Sequence, residues 1–320
     1  MKVIRGIPQL PSSVRTAIAI GNFDGIHLGH QALLRSVAER AREAGETPCV
    51  LTFEPHPKEF FRPEAAPARI LTLRDKASAI ASCGIEALFI APFNRDLAGM
   101  PAESFVRDIL KGRLRASFVA VGTNFTFGAG PADSAELVRL GAKHGIRICA
   151  EKLVEENDAC VSSTRLREVL SRGDLEEAER LLGRPYCMSG RVLHGAEIGR
   201  TIGFPTLNLR PLPPGSGAKP ALEGVFAVMV SGLVPGKEIP GVASIGNRPT
   251  IAGGLRYTCE TNLLDWTGNA YGRMIRVRFV KKLRGNRKFS GLPELMRAIR
   301  ADAAAARRLF GLPESPSGKP

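Results

Sequence analysis

Two histidines, His27 and His30, stand three residues apart in "GNFDGIHLGH", directly after the apolar run "TAIAI". The chain has five histidines in all, so their pairing behind a glycine-rich turn points to phosphate chemistry. Gly21 and Gly25 let the backbone approach a ligand closely. A helix beginning near Ile26 would place both imidazoles one turn apart on one face. They would then sit beside the free amide groups and positive dipole end that favour a phosphate. Imidazole N–H groups can donate to phosphoryl oxygens as charge builds in a transition state. Gly29 leaves room over that helix for a flat ring. The G-x-x-x-x-G-K-[ST] loop is absent, which excludes a P-loop enzyme.

A second chemistry-bearing stretch is "GRVLHGAEIGRTIGFPTLNL". Gly195, Gly199 and Gly203 recur at intervals of four, which suits a loop whose backbone wraps an anion and counts against a helix. Thr206 and Asn208 alternate along a strand and so share a face. A hydroxyl and a carboxamide oxygen placed there can hold a magnesium ion together with nucleotide phosphates. On spacing alone, a glycine-rich hairpin with a polar exposed face remains the competing account.

The elements that must position these residues follow from periodicity. With 320 residues, 44% apolar and 24% charged, the chain has room for two domains of ordinary globular composition. No apolar run approaches the roughly 20 residues of a membrane span. The opening "MKVIRGIPQLPSSV" is broken before any signal-peptide core could form, so the expected location is the cytoplasm. In the first half, "TAIAIG", "TPCVLTF", "EALFIAPF", "ASFVAVG" and "IRICAEKL" read as strands. Helical patterns lie between them, with Leu33, Leu34, Val37, Ala38 and Ala41 on one face and further helices in "KASAIASCG", "AESFVRDILKGRL" and "DSAELVRLGAKHG". Strands alternating with helices predict an α/β domain with a doubly wound parallel sheet. Ligands of such sheets bind outside the carboxyl ends of the strands, where the histidine motif, "FEPHP" and "VGTNFTFG" all fall.

Charge divides the chain. Residues 1–183 carry 24 basic against 23 acidic side chains, and residues 184–320 carry 21 against 8, within a net charge of +14. That shift predicts a boundary near residue 184. Beyond it, "EGVFAVMVSGL", "IPGVASIG", "RYTCETNLLD" and "RMIRVRFVKKL" read as strands separated by turn signals, the pattern of a mainly antiparallel β-barrel. "GLPELMRAIRADAAAARRLF" closes the domain as a helix, and residues 311–320 read as a disordered tail. The basic cluster "GRMIRVRFVKKLRGNRK" lacks interleaved aromatics, so it reads as a solvated strand face with Ile275, Val277 and Phe279 inward, ahead of nucleic-acid binding. The six cysteines form no C-x-x-C pair, which argues against a zinc site or a disulfide framework and for buried, reduced thiols.

Several of these stretches resemble a known family. "GNFDGIHLGH" is similar to the H-x-G-H signature of nucleotidyltransferases, shared by cytidylyl- and adenylyltransferases, which would set Gly21, Phe23, Asp24, Gly25 and Gly29 against ATP. "VSSTRLREVL" resembles the S-S-T-x-x-R element of bacterial FAD synthetases. There Ser163, Thr164 and Arg167 match, and two hydroxyls with a guanidinium fork at a helix start suit a triphosphate. "VGTNFTFGAG" resembles that family's flavin- and adenine-facing loop, with Asn124 where aspartate is common and Thr126 where a basic residue is frequent. "FEPHP" matches as well and implies His56 and Pro57 near the flavin. "GRTIGFPTLNL" closely resembles the G-R-x-x-G-F-P-T-x-N-L signature of riboflavin kinases, which adds Arg200 to the phosphate loop. Glu260 in "CETNLLD" matches that family's general base, with Asn262 where histidine is frequent. Arg300, Asp302 and Arg307 match an I-R-x-D-x-x-x-A-R element that contacts the flavin.

The resemblance, to the bifunctional prokaryotic riboflavin kinase/FAD synthetase family, covers residues of about 15 to 310. It implies an FMN adenylyltransferase domain at 1–183 and a riboflavin kinase domain at 184–310. The implied substrates and products are ATP, riboflavin, FMN and FAD, with Mg2+ as the metal. His27, His30, Arg167 and Glu260 would be catalytic. Three rivals stay open at this stage: a kinase with weak adenylyltransferase activity, a basic nucleic-acid-binding protein, and a cytidylyltransferase, which leaves the second half unexplained. Small molecules are the expected partners, without a membrane; self-association is open.

Overall fold

The structure, a computed structural model, describes residues 1–123, 125–127, 133–151, 155–156, 159–195, 203–213, 217–249 and 255–314. Contacts divide the chain into two compact units, Met1–Pro67 with Lys76–Ser163, and Ala68–Asp75 with Thr164–Pro320.

The first unit is built on strands β1 (Lys2–Arg5), β2 (Thr16–Ile20), β3 (Thr47–Glu54), β4 (Ala87–Pro92), β5 (Ala116–Gly122) and β6 (Arg147–Glu151), in the order β1-β4-β3-β2-β5-β6. Every pairing is parallel. All five residues of β2 are buried, as expected of a parallel strand covered on both faces. The chain runs outward from β2 through β3 to β4 on one side, then crosses to β5 and β6 on the other. The reversal falls between β2 and β5, so the loops leaving these strands flank the topological switch point of an α/β sheet. Helix α1 (Leu28–Ala44) follows β2 and buries Leu33, Leu34, Val37, Ala38 and Ala41, the residues whose spacing predicted it. Helices α2 (Pro57–Phe61) and α3 (Leu73–Ala81) follow β3. After β4 come the short turns α4 (Arg95–Ala98) and α5 (Ala102–Ser104).

The helix expected across "AESFVRDILKGRL" is wound as a π-helix over Phe105–Arg113, closed by Leu114 N–H donating to the Ile109 carbonyl at 2.9 Å. Phe105, Val106, Ile109, Leu110 and Leu114 are all buried. Nine residues make about two and a half α-turns, which would swing Leu114 away from Phe105. The wider winding keeps both in the core. Helix α6 (Ser134–Lys143) precedes β6, and a two-stranded ribbon, β7 (Glu155–Glu156) with β8 (Ala159–Cys160), follows it.

In the second unit, α7 (Ser163–Arg172) and α8 (Leu175–Leu182) precede an antiparallel sheet. Its strands are β9 (Cys187–Arg191), β10 (Leu207–Leu209), β11 (Gly224–Val234), β12 (Lys237–Pro249), β13 (Leu255–Leu263) and β14 (Met274–Arg284), ordered β10-β13-β12-β11-β14-β9. Leu193 N–H donates to the Asn208 carbonyl at 2.9 Å, joining the chain beyond β9 to β10 and drawing the edges into a near-closed barrel. Ile275, Val277 and Phe279 of β14 face inward, while Arg276 is exposed and Arg278 pairs with Glu238 across 3.2 Å, as the alternation predicted.

The C-terminal helix, Leu292–Leu309, packs Ala306 with Ala227 and Leu264, and ties Asp302 to Arg284 at 2.8 Å. Of the tail read as disordered, Leu312 N–H donates to the Arg307 carbonyl at 2.9 Å and Arg307 Nη1 to the Pro313 carbonyl at 2.6 Å; residues 315–320 lie outside the described residues.

Candidate active sites

The loop between β2 and α1 holds an unusual backbone. Phe23 (φ 49), Gly25 (φ 98) and Ile26 (φ 45) are all left-handed, and a β-branched residue in that region is a strained exception. Side chains hold this loop along its length: Lys76 Nζ and Thr52 Oγ1 donate to the Asn22 carbonyl at 2.8 and 3.2 Å, Ser163 Oγ donates to the Asp24 carbonyl at 2.7 Å, and Gln31 Nε2 donates to the Ile26 carbonyl at 3.0 Å. Phe23 is buried, its ring 3.2 Å from where a Cβ on Gly21 would stand.

His27 is the cap of α1, with the helix proper beginning at Leu28. Its Nδ1 accepts the His30 backbone N–H at 3.3 Å, which places the proton of the neutral ring on Nε2. The two imidazoles stack with centroids 3.7 Å apart, and Phe23 meets His30 edge-on at 5.3 Å. The flat ring over Gly29 proves to be His27 itself: a Cβ on Gly29 would stand 3.3 Å from that imidazole. The structure therefore brings Gly21, Phe23, Asp24, Gly25, His27, Gly29, His30 and Ser163 together at the switch point. At the start of α7, Thr164 is exposed and Arg167 donates through Nε to the Ala68 carbonyl at 2.7 Å.

His56 is buried and caps α2: its Nδ1 accepts the Lys58 N–H at 3.1 Å, and Glu59 returns a bond to the His56 N–H at 3.1 Å. Pro57 is the first residue of that helix. An aromatic group that no spacing in the sequence marks lies beside them. Phe60 and Phe61 both meet Phe93 edge-on, at 5.5 and 5.6 Å, and Phe61 is 63% exposed. The only signal was an aromatic doublet in "HPKEFF". Asn124 lies outside the described residues; beside it, Phe125 and Phe127 stack at 6.0 Å.

In the barrel, register sets Glu260 opposite Asn208 on one side and Ser244 on the other. Thr258 Oγ1 donates to Glu260 Oε1 at 3.1 Å. Asn208 Nδ2 donates to the Thr206 carbonyl at 3.3 Å, which leaves its oxygen as the group able to meet a cation. Gly195 lies so close to Asn208 that a Cβ there would stand 2.4 Å from Nδ2. Gly203 has a left-handed φ of 83°, while Gly199 and Arg200 lie outside the described residues. Asn262, two residues along β13 from Glu260, donates to the Pro205 carbonyl at 2.8 Å.

Thr206 and Asn208 line a cavity of about 620 Å³ together with Pro205, Trp266, Asn269 and Tyr271. Tyr271 stacks on His194 at 3.9 Å. Trp266 and Tyr271 had no distinguishing spacing; only the structure gathers them. Arg300 of the C-terminal helix is exposed, whereas Asp302 is engaged by Arg284, and Arg307 by Asp265 and the Pro313 carbonyl.

A parallel α/β sheet with the histidine loop at its switch point and a near-closed antiparallel barrel with a cavity of about 620 Å³ define a two-domain α/β-plus-barrel protein. A family model for FAD synthetase matches residues 10–165, and one for riboflavin kinase matches residues 182–310. The bifunctional riboflavin kinase/FMN adenylyltransferase of Escherichia coli K12 is 43% identical over 318 residues, covering 98% of this chain and 99% of that one. The Pseudomonas fluorescens enzyme of the same name is 41% identical over 315 residues, covering 97% and 98%. The chain belongs to the bifunctional riboflavin kinase/FMN adenylyltransferase family. A crystal structure from Streptococcus pneumoniae, described as a macrolide-efflux protein, superposes with a TM-score of 0.75 at 28% identity, covering 96% of this chain and 99% of that one. Among the described residues here, no helix is long and apolar enough to cross a membrane.

Proposed function

We propose that residues 184–310 phosphorylate riboflavin and residues 1–183 adenylylate the FMN so formed, in the cytoplasm. The observation that supports this reading is the pair of family matches, FAD synthetase over residues 10–165 and riboflavin kinase over residues 182–310. In the kinase step Glu260 accepts the proton of the ribityl hydroxyl, whose oxygen attacks the γ-phosphorus of ATP. The bond from that phosphorus to the β,γ-bridging oxygen breaks, and ADP leaves. Thr206 and Asn208, a hydroxyl and a carboxamide oxygen on the wall of the barrel cavity, are assigned to the metal. Hard oxygen ligands completed by phosphates suit Mg2+, which would neutralise the charge on the transferring group. The glycine loop at Gly195, Gly199, Arg200 and Gly203 wraps the phosphates, and Trp266 and Tyr271 offer flat faces to the adenine.

In the second step an FMN phosphate oxygen attacks the α-phosphorus of another ATP, and pyrophosphate leaves. His27 and His30 donate to the α-phosphate as charge develops, beside the amides at the start of α1. Ser163, Thr164 and Arg167 are assigned to the triphosphate, Arg167 to the departing pyrophosphate. No covalent intermediate is required, since the FMN phosphate is itself the nucleophile. His56 and Pro57, with Asn124, are assigned to the flavin of this step. Arg300 is assigned to the flavin of the first, with Asp302 and Arg307 fixing its helix.

Chromatography of flavin products tests the assignment. Glu260→Ala should lose FMN formation by about 10²–10⁴-fold, the range for a positioned general base, while still converting FMN to FAD. His30→Ala should do the reverse. Wild-type protein that forms no FAD from FMN and Mg·ATP removes the adenylyltransferase half of the reading.

A further inference from the structure

Lys76 is a buried cation in the first unit that neither step above employs. It is 3% exposed, and its Nζ donates to the Asn22 carbonyl at 2.8 Å. Thr52 Oγ1 reaches the same carbonyl at 3.2 Å. That carbonyl belongs to the peptide plane entering the strained run Phe23, Gly25 and Ile26. A peptide plane is rigid, so fixing its carbonyl also fixes the N–H of Phe23 on the opposite edge. Left-handed non-glycine residues are strained and persist only where the surroundings impose them. Burying an ammonium is itself costly, and an apolar side chain of the same length would fill the space at less expense. Packing alone therefore does not account for a lysine here.

We infer that Lys76 is a positioning residue for adenylyl transfer. Its charged hydrogen bond locks the entry of the strained loop, so that the loop's amides and the stacked imidazoles of His27 and His30 stand ready for the α-phosphate. It acts through the loop and not on the nucleotide. The inference rests on the assignment of FMN adenylylation to this unit.

Lys76→Met keeps the length of the stem and removes both charge and donor. A hydrogen bond to a charged group is worth about 1.5–3 kcal/mol, so kcat for FAD formation, per folded molecule, should fall about 10- to 100-fold. KM for FMN should stay within about twofold, because ground-state flavin contacts are untouched. Lys76→Arg, which keeps a charged donor, should recover to within about fivefold of wild type. Riboflavin phosphorylation should be unchanged in both variants, which reports that the second unit is folded, and the retained KM for FMN reports the same of the first. Lys76→Met turning over FMN within about threefold of wild type overturns the inference, as does Lys76→Arg performing no better than Lys76→Met. Should Lys76→Met not fold, Thr52→Val carries the test. It removes a neutral donor from the same carbonyl and should cost about 2- to 10-fold in kcat, and an unchanged kcat is the contrary result. A wild-type protein unable to adenylylate FMN is a different failure, that of the underlying assignment.

Discussion

Single side chains in this protein are explained by what presses on them. Gly29 is glycine because the His27 ring lies where a Cβ would come within 3.3 Å of it, and the imidazole stack depends on that clearance. The thiols make the same point about environment. Burial pushes Cys49 up to about 12, with the Glu86 carboxylate adding to the effect, and burial likewise pushes Cys259 up to about 12. Cys149 is exposed. Only the thiolate attacks an alkylating reagent, and a group with so high a pKa is almost wholly protonated at pH 8. Iodoacetamide at pH 8 should therefore modify Cys149 in the native protein and reach Cys49 and Cys259 only after denaturation, as read by peptide mass mapping. The reactivity of the buried pair would rise only as the pH approaches about 12, because their shift is upward. Rapid native labelling of Cys49 would contradict the burial that sets its pKa.

At the level of elements, the phosphate grip proposed for the barrel would rest on the close approach between the chain beyond β9 and β10. A Cβ on Gly195 would meet Asn208 Nδ2 at 2.4 Å, so Gly195→Ala must displace the Asn208 carboxamide. That amide can rotate away, so the cost falls on function more than on folding. The kinase KM for Mg·ATP should rise by about tenfold or more, a loss of roughly 1.4 kcal/mol in ground-state binding. FMN adenylylation and the melting midpoint should hold. A fall in melting midpoint with unchanged KM would place Gly195 in the structural framework instead.

Which elements were legible depended on length and period. Strands β2 to β6 and β11 to β14 were readable because long apolar or alternating runs are bounded by turn signals. β1 and β9 were not, because each is short and owes its existence to a partner: Lys2–Arg5 to β4, and Cys187–Arg191 to β14. The π-winding at Phe105–Arg113 was hidden because its apolar spacing also fits an α-helix over the first two turns. Among site residues, those within glycine-rich motifs stood out. Lys76, Phe61, Trp266 and Tyr271 did not, since nothing in their local spacing separates them from ordinary surface or core positions.

For the whole molecule, the central consequence is that two reactions share one chain and one intermediate. Glu260 and His30, the residues proposed for the two steps, belong to different units. If each site takes its flavin from solution, a loss at one site can be made good by another copy of the chain. Mixing Glu260→Ala with His30→Ala should therefore restore FAD synthesis from riboflavin, although each variant alone stops short. The second variant makes FMN and releases it; the first captures it. Because the intermediate must accumulate before the second site is appreciably occupied, FAD should appear after a lag. That lag should shorten when FMN is supplied, and the rate should fall on dilution of both proteins. Chromatographic time courses read all of these features. FMN that stays bound to His30→Ala at no more than one per chain, with no FAD formed while Glu260→Ala still adenylylates added FMN, would show that the two sites do not communicate through free flavin.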